Sequence, residues 1–600
     1  MPILSVITST YLIYFVSLLI GFSRYSITLS FLAFCPWLFY YLFKEFNLKK
    51  LITGIQKNFT QLILGLIVFS AFFLALFPGI FTRHGDYIVM SSVNWQDTAM
   101  HTGIIESIAQ GNFPPESPYY SGTPLNYYYF TDFHSAILVN LFGRFFPRVL
   151  VYTNPLFAAS FSMALYALAY EIGRRKKAAV ASSLAGVFFG NLMFIGFFQD
   201  IFNLRINLFD LLANKSYSME YEKVFQMSSM GDYFLQNRPM MVGLPAMALV
   251  ILFLIRGFEK RRLGEILLAG VFTGALIKFQ YFGIVIGFIA FGFAFLTFFT
   301  LKRAKFLFKA FFTFFLPIVL ISLPFVASTT VNGRSIVSVI KDNFSLGPWE
   351  REKDISWHLR FILGNFQLPF LLTIASILNI KKLKKPTVFL FLMAVSLFGI
   401  PYLMRFTVYK GDMFKFFYFM VIPMSVLAPL ILTKVFRNQK VLFGIVIAFL
   451  FITSFSSVLT LANSALNKNM AYNQSDLEAG LWMRSNTPQK SVFIAMPTVH
   501  TPISQIGGRL RVLSYINWPY SHGYNSGDDN VFKRLADIEK TYRQKDVEVV
   551  KEVIKGYNAD YIFYGSEERR KFPSAENFLD SLDLLKIVYN NEGIKIYEIK

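Results

Sequence analysis

The sequence predicts a polytopic α-helical membrane protein of about thirteen transmembrane helices with a C-terminal extracytoplasmic α/β domain. Of the 600 residues, 54% are hydrophobic, and the mean hydropathy of +0.47 is too high for an ordinary soluble protein. Apolar runs free of charge recur at a length that crosses a bilayer. They include 3–22, 59–82, 178–199, 310–333 and 441–467. After about residue 467 the runs shorten, and helix and strand patterns alternate, which predicts a separate folded domain.

Basic residues cluster in the short loops between apolar runs, and this predicts the orientation of the chain. The clusters lie at 44–57, 174–177, 256–262, 302–309, 381–385 and 434–440. The positive-inside rule places them on the cytoplasmic face, so the net charge of +22 indicates membrane orientation rather than nucleic-acid binding. The segment 83–131 carries one Arg and no Lys, which predicts that it lies outside.

The alternation of basic and acidic loops predicts a cytoplasmic N-terminus in a multi-pass protein of the cell membrane. The first apolar run lacks a basic leader and is longer than a signal-peptide core, so we expect it to stay as a helix. The predicted domains are a transmembrane domain 1–466, with an outer loop 83–148, and an extracytoplasmic domain 467–600. The longest connections all fall outside, so the chemistry is expected there. The single cysteine, Cys35, excludes an intrachain disulfide and a cysteine-based metal site.

The C-terminal region predicts a small α/β domain with its own core. Ser475 is the predicted N-cap of a helix over DLEAGLWMR. The segments SVFIAM and DYIFYG predict buried strands, and DVEVVKEVIKGY predicts a helix that ends near Gly556. IVYNNEGIKIYEI predicts a closing hairpin with its turn at 591–593.

Asp97 is the first candidate for catalysis, because it follows the predicted third crossing by about fifteen residues, within reach of the outer surface. A carboxylate near apolar groups can act as a general base; a solvated loop aspartate is the alternative. If DTAMHTGIIESIAQG is a helix, His101 shares a face with Asp97, and Glu106 sits elsewhere on it. His101 then shares a metal with Asp97, orients the base, or makes a local helix contact, which is the interpretation we favour.

An aromatic segment follows in the same outer loop. FPPESPYYSGTPLNYYYF contains the triplet Tyr127, Tyr128 and Tyr129, with Asp132 and His134 directly after it. Aromatic residues at this depth commonly anchor a protein in the membrane interface. The functional hypothesis is a platform for a sugar ring or for a lipid carrier, and the interfacial anchor is the alternative.

Cations on the outer side form the third set of candidates. Lys278 interrupts an apolar stretch, where an ionisable residue suggests function and snorkelling is the alternative. Arg405, Lys410, Asp412 and Lys415 form an outer charged cluster that runs against the orientation rule. A phosphate or pyrophosphate partner explains this cluster, and so does a structural Asp412–lysine ion pair.

The C-terminal domain adds one candidate, Arg509, in the segment GGRLRVLSYINWPYSHGYN. This segment either lies over the active site or is an ordinary loop. P-loop, Rossmann and nucleophile-elbow patterns do not occur in the sequence.

These residues together resemble the GT-C class of integral membrane glycosyltransferases. The resemblance rests on QDTAMHTGIIESIAQGNFPPESP, and TPLNYYYFTDFHSAIL is similar to uncharacterised bacterial and archaeal members named for a Tyr triplet. GDMFKFFYF resembles the charged start of a late helix in that set. The C-terminal pieces NTPQKSVFIAMP, GGRL, ADYIFYGSEER and GIKIYEI resemble the outer domain of such enzymes.

The resemblance implies transfer of a sugar from a polyprenyl-phosphate donor to a glycan, lipid or protein acceptor on the extracytoplasmic face. It implies that Asp97 takes a proton from the acceptor hydroxyl, with Lys278, Arg405, Lys410 and Lys415 as candidates for the donor phosphate. The Asp-x-Asp of metal-dependent oligosaccharyl-type members is missing from this loop. No cofactor is therefore specified, and a divalent cation stays open.

Two other classes of function compete with this interpretation. A transporter or flippase of a lipid-linked or small polar substrate is the main alternative, although the sequence lacks the internal halves typical of transporters. A non-catalytic receptor or scaffold is the third. Substitution of Asp97 separates an enzyme from both alternatives.

Overall fold

The computed structural model shows a helical membrane part, a C-terminal domain, and a segment over residues 80–142 that is called the outer segment after its predicted side. It describes residues 2–40, 44, 47–142, 147–204, 207–217, 220–221, 224–225, 227–236, 238–326, 330–331, 334–335, 341, 343–378, 384–407, 410–436, 438–591 and 593–600. The helices before residue 467 are α1 Pro2–Ile20, α2 Arg24–Tyr40, α3 Leu48–Lys57, α4 Phe59–Leu76, α5 Asp97–Ala109, α6 Phe130–Phe142, α7 Leu150–Gly173, α8 Lys176–Val187, α9 Phe194–Leu204, α10 Leu208–Asn214, α11 Met230–Leu235, α12 Met240–Lys260, α13 Leu263–Phe279, α14 Phe282–Phe298, α15 Ala304–Val326, α16 Ile355–Ala375, α17 Lys385–Leu403, α18 Phe414–Val435 and α19 Gln439–Leu466.

Helices of membrane-spanning length confirm the predicted class of polytopic helical membrane protein. Within the described ranges, nine helices are long and apolar enough to cross a membrane, and α14 is a shorter apolar helix. The core between them is built from long aliphatic and aromatic side chains that are fully buried, most densely along α12 and α18. The count of about thirteen crossings, and the side of the membrane that each end faces, stay predictions.

The apolar run 178–199 is not one helix, which corrects the continuous span predicted there. It divides into α8 and α9, and the break lies at Gly190. The Gly190 N–H donates to the Thr453 carbonyl at 2.8 Å, and the Asn191 N–H donates to Ser456 Oγ at 2.8 Å. A Cβ at Gly190 would lie 2.0 Å from Ser456 Oγ, so only glycine fits against α19. Non-helical backbone is tolerated among membrane helices where protein groups satisfy it in this way.

The predicted outer loop is an ordered segment. Its strands β1 Ile80–His84 and β2 Tyr87–Met90 form a hairpin, and β9 Asn469–Asn473 completes a three-stranded antiparallel sheet with them. Between β2 and β9 in the chain lie short paired strands: β3 Glu220–Tyr221, β4 Val224–Phe225, β5 Thr330–Val331, β6 Arg334–Ser335, β7 Ser345–Leu346 and β8 Met404–Arg405. The helix predicted over DTAMHTGIIESIAQG is confirmed as α5. The sheet ties the outer segment to the chain that leaves α19, so the two parts are held together by backbone hydrogen bonds.

The C-terminal domain is α/β, as predicted. Its sheet has the order β11-β10-β12-β14-β13, and β10 pairs in parallel with β11 and β12 while the remaining pairs are antiparallel. The strands are β10 Val492–Ile494, β11 Leu510–Arg511, β12 Tyr561–Tyr564, β13 Leu585–Asn590 and β14 Lys595–Ile599. The helices are α20 Gln474–Asn486, α21 Pro502–Gln505, α22 Asn517–Ser521, α23 Val531–Arg543, α24 Val547–Tyr557, α25 Ser566–Lys571 and α26 Ala575–Asp580. The two predicted strands, the closing hairpin and the helix near Gly556 are thereby confirmed.

The predicted N-cap at Ser475 is wrong. Asn473 caps α20: its side chain accepts from the Asp476 N–H at 2.8 Å, and the Asp476 carboxylate accepts from the Asn473 N–H at 3.1 Å. This reciprocal pair is a capping box. Asn is as good a cap as Ser, and the acidic residue three positions later selects Asn473.

The C-terminal domain is docked on the outer segment by its backbone. The Ser121 N–H donates to the Arg511 carbonyl at 2.9 Å, and the Ser514 N–H donates to the Tyr119 carbonyl at 3.0 Å. Gly508 has a φ of +68°, and a Cβ there would lie 2.9 Å from the Glu106 carbonyl oxygen. The glycine in GGRL therefore permits close approach of the domain to α5.

Cysteine labelling tests the predicted orientation. In a background with Cys35 replaced by Ser, we expect single cysteines at the exposed positions Asp86 and Asp528 to react with an impermeant maleimide added to intact cells. A cysteine at the exposed Lys176 should react only after the cells are permeabilised. Labelling of position 176 in intact cells would reverse the orientation.

Candidate active site

Asp97 begins α5 and forms an ion pair with Arg238, which precedes α12. Asp97 Oδ2 lies 2.8 Å from Arg238 Nη2, and the side chains are 38% and 23% exposed. The Arg238 guanidinium also donates to Gln236 Oε1 from Nε at 3.1 Å and from Nη2 at 2.7 Å. It lies over the Tyr233 ring, 4.6 Å from the ring centroid. A partly exposed carboxylate thus faces a cation held by several groups.

Arg238 and the nearby Asp232 were missed in the sequence. They lie in NRPM and MGDY, which match no catalytic motif. One signal was available for Arg238: it is a cation in a long connection on the predicted outer side, against the positive-inside rule. The same signal identified the charged cluster at 405–415.

His101 pairs with Asp132 rather than with Asp97. Its Nδ1 lies 3.0 Å from both carboxylate oxygens of Asp132, and the side chains are 1% and 0% exposed. An ionised carboxylate only accepts hydrogen bonds, so His101 Nδ1 carries the proton. The His101 ring lies 5.8 Å from the Tyr127 ring, measured between centroids. The buried pair fixes α5 against α6 next to the tyrosines.

The tyrosine triplet lies where the outer segment, α18 and the C-terminal domain meet. The rings of Tyr127 and Tyr128 are stacked with 4.4 Å between centroids. His522 of the C-terminal domain lies 5.0 Å from Tyr127, and its Nδ1 is 3.2 Å from the Tyr119 hydroxyl. Desolvation lowers the pKa of His522 to about 4, so this imidazole is neutral near pH 7. His522 belongs to the segment GGRLRVLSYINWPYSHGYN, for which a loop over the active site was one of the two predicted roles, and the fold brings it to the tyrosines.

Lys415 joins the charged cluster to these tyrosines. Its Nζ donates to the Tyr128 hydroxyl at 2.8 Å and to Asp412 Oδ1 at 2.6 Å, which is the predicted Asp412–lysine pair. Lys278 stays near the outer segment, with Nζ 5.4 Å from the Tyr129 ring centroid. Arg405 lies in the short strand β8 Met404–Arg405, and its Nε donates to the Thr407 carbonyl at 3.3 Å. The side chain of Lys410 lies outside the described residues.

Comparison with known proteins bears on this arrangement. The family model described as "Uncharacterized membrane protein (DUF2298)" matches residues 8–229, which include α5 and α6. No curated protein matches the sequence. Among solved structures, the oligosaccharyltransferase of Archaeoglobus fulgidus in complex with Zn and sulfate is similar with a TM-score of 0.52 at 14% identity, over 90% of this chain and 73% of that one.

Two further glycosyltransferase structures share the architecture. ArnT from Cupriavidus metallidurans bound to undecaprenyl phosphate has a TM-score of 0.50 at 11% identity, over 89% of this chain and 97% of that one. The arabinofuranosyltransferase AftD from Mycobacteria has a TM-score of 0.52 at 12% identity, over 90% of this chain and 40% of that one. This chain is a membrane protein that shares the fold of these structures.

Three of the predicted site residues make contacts that join parts of the fold. His134 Nδ1 is 3.1 Å from Thr10 Oγ1, at the contact between α6 and α1. The buried Glu106 has its Oε1 2.7 Å from Arg484 Nη1 of the C-terminal domain. Arg509 is buried inside that domain, where it donates to the carbonyls of Met483, Arg484, Thr487 and Gly507. These contacts give the three side chains structural roles, and their part in a binding site stays a prediction.

A metal site formed by several ligands is not seen in the part of the chain that the structure describes. No group of three or more His, Cys, Asp or Glu side chains among those residues is arranged to hold an ion. Asp97 and His101, the pair considered for a metal, are each paired with another residue, Arg238 and Asp132.

Glu106 predicts a pH-dependent stability. Burial raises the pKa of Glu106 to about 7 against the opposing effect of Arg484. The pKa of Glu106 is higher in the folded protein than in the unfolded chain. Its contribution to the free energy of unfolding is therefore fully present below about pH 4.5 and is lost as the pH rises through 7. Between pH 5 and pH 8 we expect the free energy of unfolding of the wild type to fall by up to about 3 kcal/mol relative to that of Glu106→Gln.

Thermal unfolding in detergent at several pH values measures this difference. Glu116→Gln is the matched control, because Glu116 forms a more exposed ion pair with Lys490 across the same two parts of the chain. Its Tm should follow the wild-type pH dependence. Parallel curves for Glu106→Gln and wild type would contradict the assignment.

Proposed function

We propose that this protein is a membrane glycosyltransferase that transfers a sugar from a polyprenyl-phosphate donor to an acceptor on the extracytoplasmic face. The observation that carries the proposal is the partly exposed Asp97 carboxylate beside Arg238, with Lys415 nearby, in a GT-C fold. Solved proteins of this fold include ArnT bound to undecaprenyl phosphate. The fold alone does not decide the activity, so the proposal depends on this side-chain arrangement.

An apolar groove between α14 and α17 supports a lipid-linked donor. Its volume is about 500 Å³, and its lining includes Ile289, Phe293, Val395 and Leu403. Both helices end near the charged cluster: α14 begins at Phe282, whose ring centroid is 4.9 Å from Lys415 Nζ. An isoprenoid chain in this groove would place its phosphate near Lys415. The groove thereby joins an apolar binding site to a cationic one.

The transfer itself is a single displacement at the anomeric carbon. The acceptor oxygen forms a bond to that carbon while the bond from the carbon to the phosphate oxygen breaks, and the electron pair of the broken bond leaves with polyprenyl phosphate. Asp97 accepts the acceptor's hydroxyl proton as general base. Arg238 and Lys415 stabilise the charge that develops on the departing phosphate. Tyr127, Tyr128 and His522 provide aromatic and neutral polar groups for the sugar.

Reconstituted vesicles test the proposal. Purified protein is mixed with undecaprenyl- or dolichyl-phosphate carrying radiolabelled mannose, glucose or arabinose, together with membrane glycan and lipid acceptors. We expect at least one donor to be consumed, with release of the polyprenyl phosphate and label in the acceptor fraction. Movement of an intact lipid-linked sugar across the vesicle without cleavage would favour the flippase alternative. If the protein neither binds nor consumes any of these donors, the proposal is contradicted.

A further inference from the structure

The Asp97–Arg238 ion pair combines a fixed cation with an anion that can be replaced. Gln236 Oε1 accepts from two nitrogens of Arg238, and Tyr233 lies under the guanidinium. Both of these groups are neutral. They can therefore hold the guanidinium in place whichever anion it faces, and an exchange of anions does not require Arg238 to move.

The exposure of the pair sets it apart from the other acidic pair of the outer segment. Asp97 and Arg238 are 38% and 23% exposed, whereas His101 and Asp132 are 1% and 0% exposed. Ion pairs open to solvent contribute little stability. The donor phosphate is a diester with one negative charge and two free oxygens, so it can accept two parallel hydrogen bonds from the planar fork of arginine, as a carboxylate does. Such an anion can displace the Asp97 carboxylate.

The same pair has a cost for catalysis. Asp97 Oδ2 lies 2.8 Å from Arg238 Nη2, so this oxygen is engaged with the guanidinium in the empty protein. An oxygen held in that way does not face an acceptor hydroxyl, as a general base must. Asp97 therefore needs a way to be released when the donor is present.

Lys415 is connected to Arg238 through two tyrosine side chains, Tyr233 and Tyr418. The rings of Tyr233, which stacks on Arg238, and Tyr418 are 4.0 Å apart, and Tyr418 lies one helical turn beyond Lys415 in α18. Lys415 Nζ is already engaged with Asp412 and Tyr128. Arg238 and Lys415, each with an acidic partner, are thus linked through Tyr233 and Tyr418.

We infer that Arg238 binds two anions in turn: the Asp97 carboxylate in the empty protein and the donor phosphate in the loaded one. Binding of the donor then releases Asp97 to act as the base, so that the catalytic carboxylate becomes active only when a phosphate occupies the site. This inference rests on the proposed function. It makes Arg238 the residue that couples donor binding to base activation.

Binding of undecaprenyl phosphate and dolichyl phosphate to purified protein in nanodiscs tests the competition. For Asp97→Asn we expect about fivefold tighter binding than for wild type, because the phosphate no longer has to displace a carboxylate. Arg238→Gln should bind at least about tenfold more weakly. Removing a negative charge could strengthen anion binding by itself, so the double variant is decisive: Asp97→Asn should have no further effect in the Arg238→Gln background.

Glu116→Gln is the matched control, since it frees Lys490 from another partly exposed ion pair of the outer segment, and its phosphate affinity should equal that of wild type. Equal or weaker binding by Asp97→Asn overturns the competition. An equal gain in the Arg238→Gln background overturns the role of Arg238. If wild type and all variants fail to bind either polyprenyl phosphate, the proposed function is itself contradicted, and this result is distinct from the other two.

Discussion

Replacement of Asp97 by Asn is expected to abolish sugar transfer while the protein still folds. The carboxamide has nearly the same shape but cannot accept the acceptor proton, and loss of a general base costs about 10²–10⁴-fold in rate. Asp97 is 38% exposed and makes its ion pair at the edge of α5, so the fold does not depend on its charge. Initial rates of label transfer in vesicles, together with Tm in detergent, separate the two effects.

Asp86→Asn serves as the control for Asp97→Asn. Asp86 is an exposed residue in the turn between β1 and β2 of the same outer segment, and its loss should leave the transfer rate unchanged. A wild-type transfer rate for Asp97→Asn would remove Asp97 from the chemistry. If Asp97→Asn loses its fold, its Tm will be lowered. The transfer rate of Asp97→Glu then decides whether the carboxylate or the fold accounts for the lost activity.

Asp132→Ala is expected to give the largest loss of stability of any single change in the outer segment. It leaves the Nδ1–H of the buried His101 without its acceptor, and a buried donor left unsatisfied costs about 1–3 kcal/mol. Because the pair joins α5 to α6, the effect should include loss of order around Tyr127 and Tyr128. Unfolding by denaturant in detergent micelles, followed by tryptophan fluorescence, measures the change.

The double variant His101→Ala/Asp132→Ala distinguishes a pair from two independent residues. If the two side chains act together, the double variant should lose less stability than the sum of the single variants. Glu116→Gln, which breaks an exposed ion pair, should change the free energy of unfolding by less than about 1 kcal/mol. A Tm for Asp132→Ala equal to that of wild type would contradict a structural role for the pair.

Asp97 is a candidate because of its position after the predicted third crossing, and His101 because of its helical spacing from Asp97. The helix exists, but the partners of both residues lie elsewhere in the chain. Arg238 is 141 positions beyond Asp97 and Asp132 is 31 positions beyond His101, so no local pattern could join them. Glu106 and Arg509 have the residue types of a binding site, yet burial places them at the domain interface and inside the domain.

The sequence by itself determined the membrane class, the helical outer segment and the α/β character of the C-terminal domain. Apolar run length, helical spacing and strand alternation are local properties that a chain carries wherever it folds. Only the tertiary structure decided that the apolar run at 178–199 breaks at Gly190, that Arg238 meets Asp97, and that His522 reaches Tyr127. These outcomes depend on groups distant in the chain, because a broken helix or a partly buried charge is stable only when such groups satisfy it.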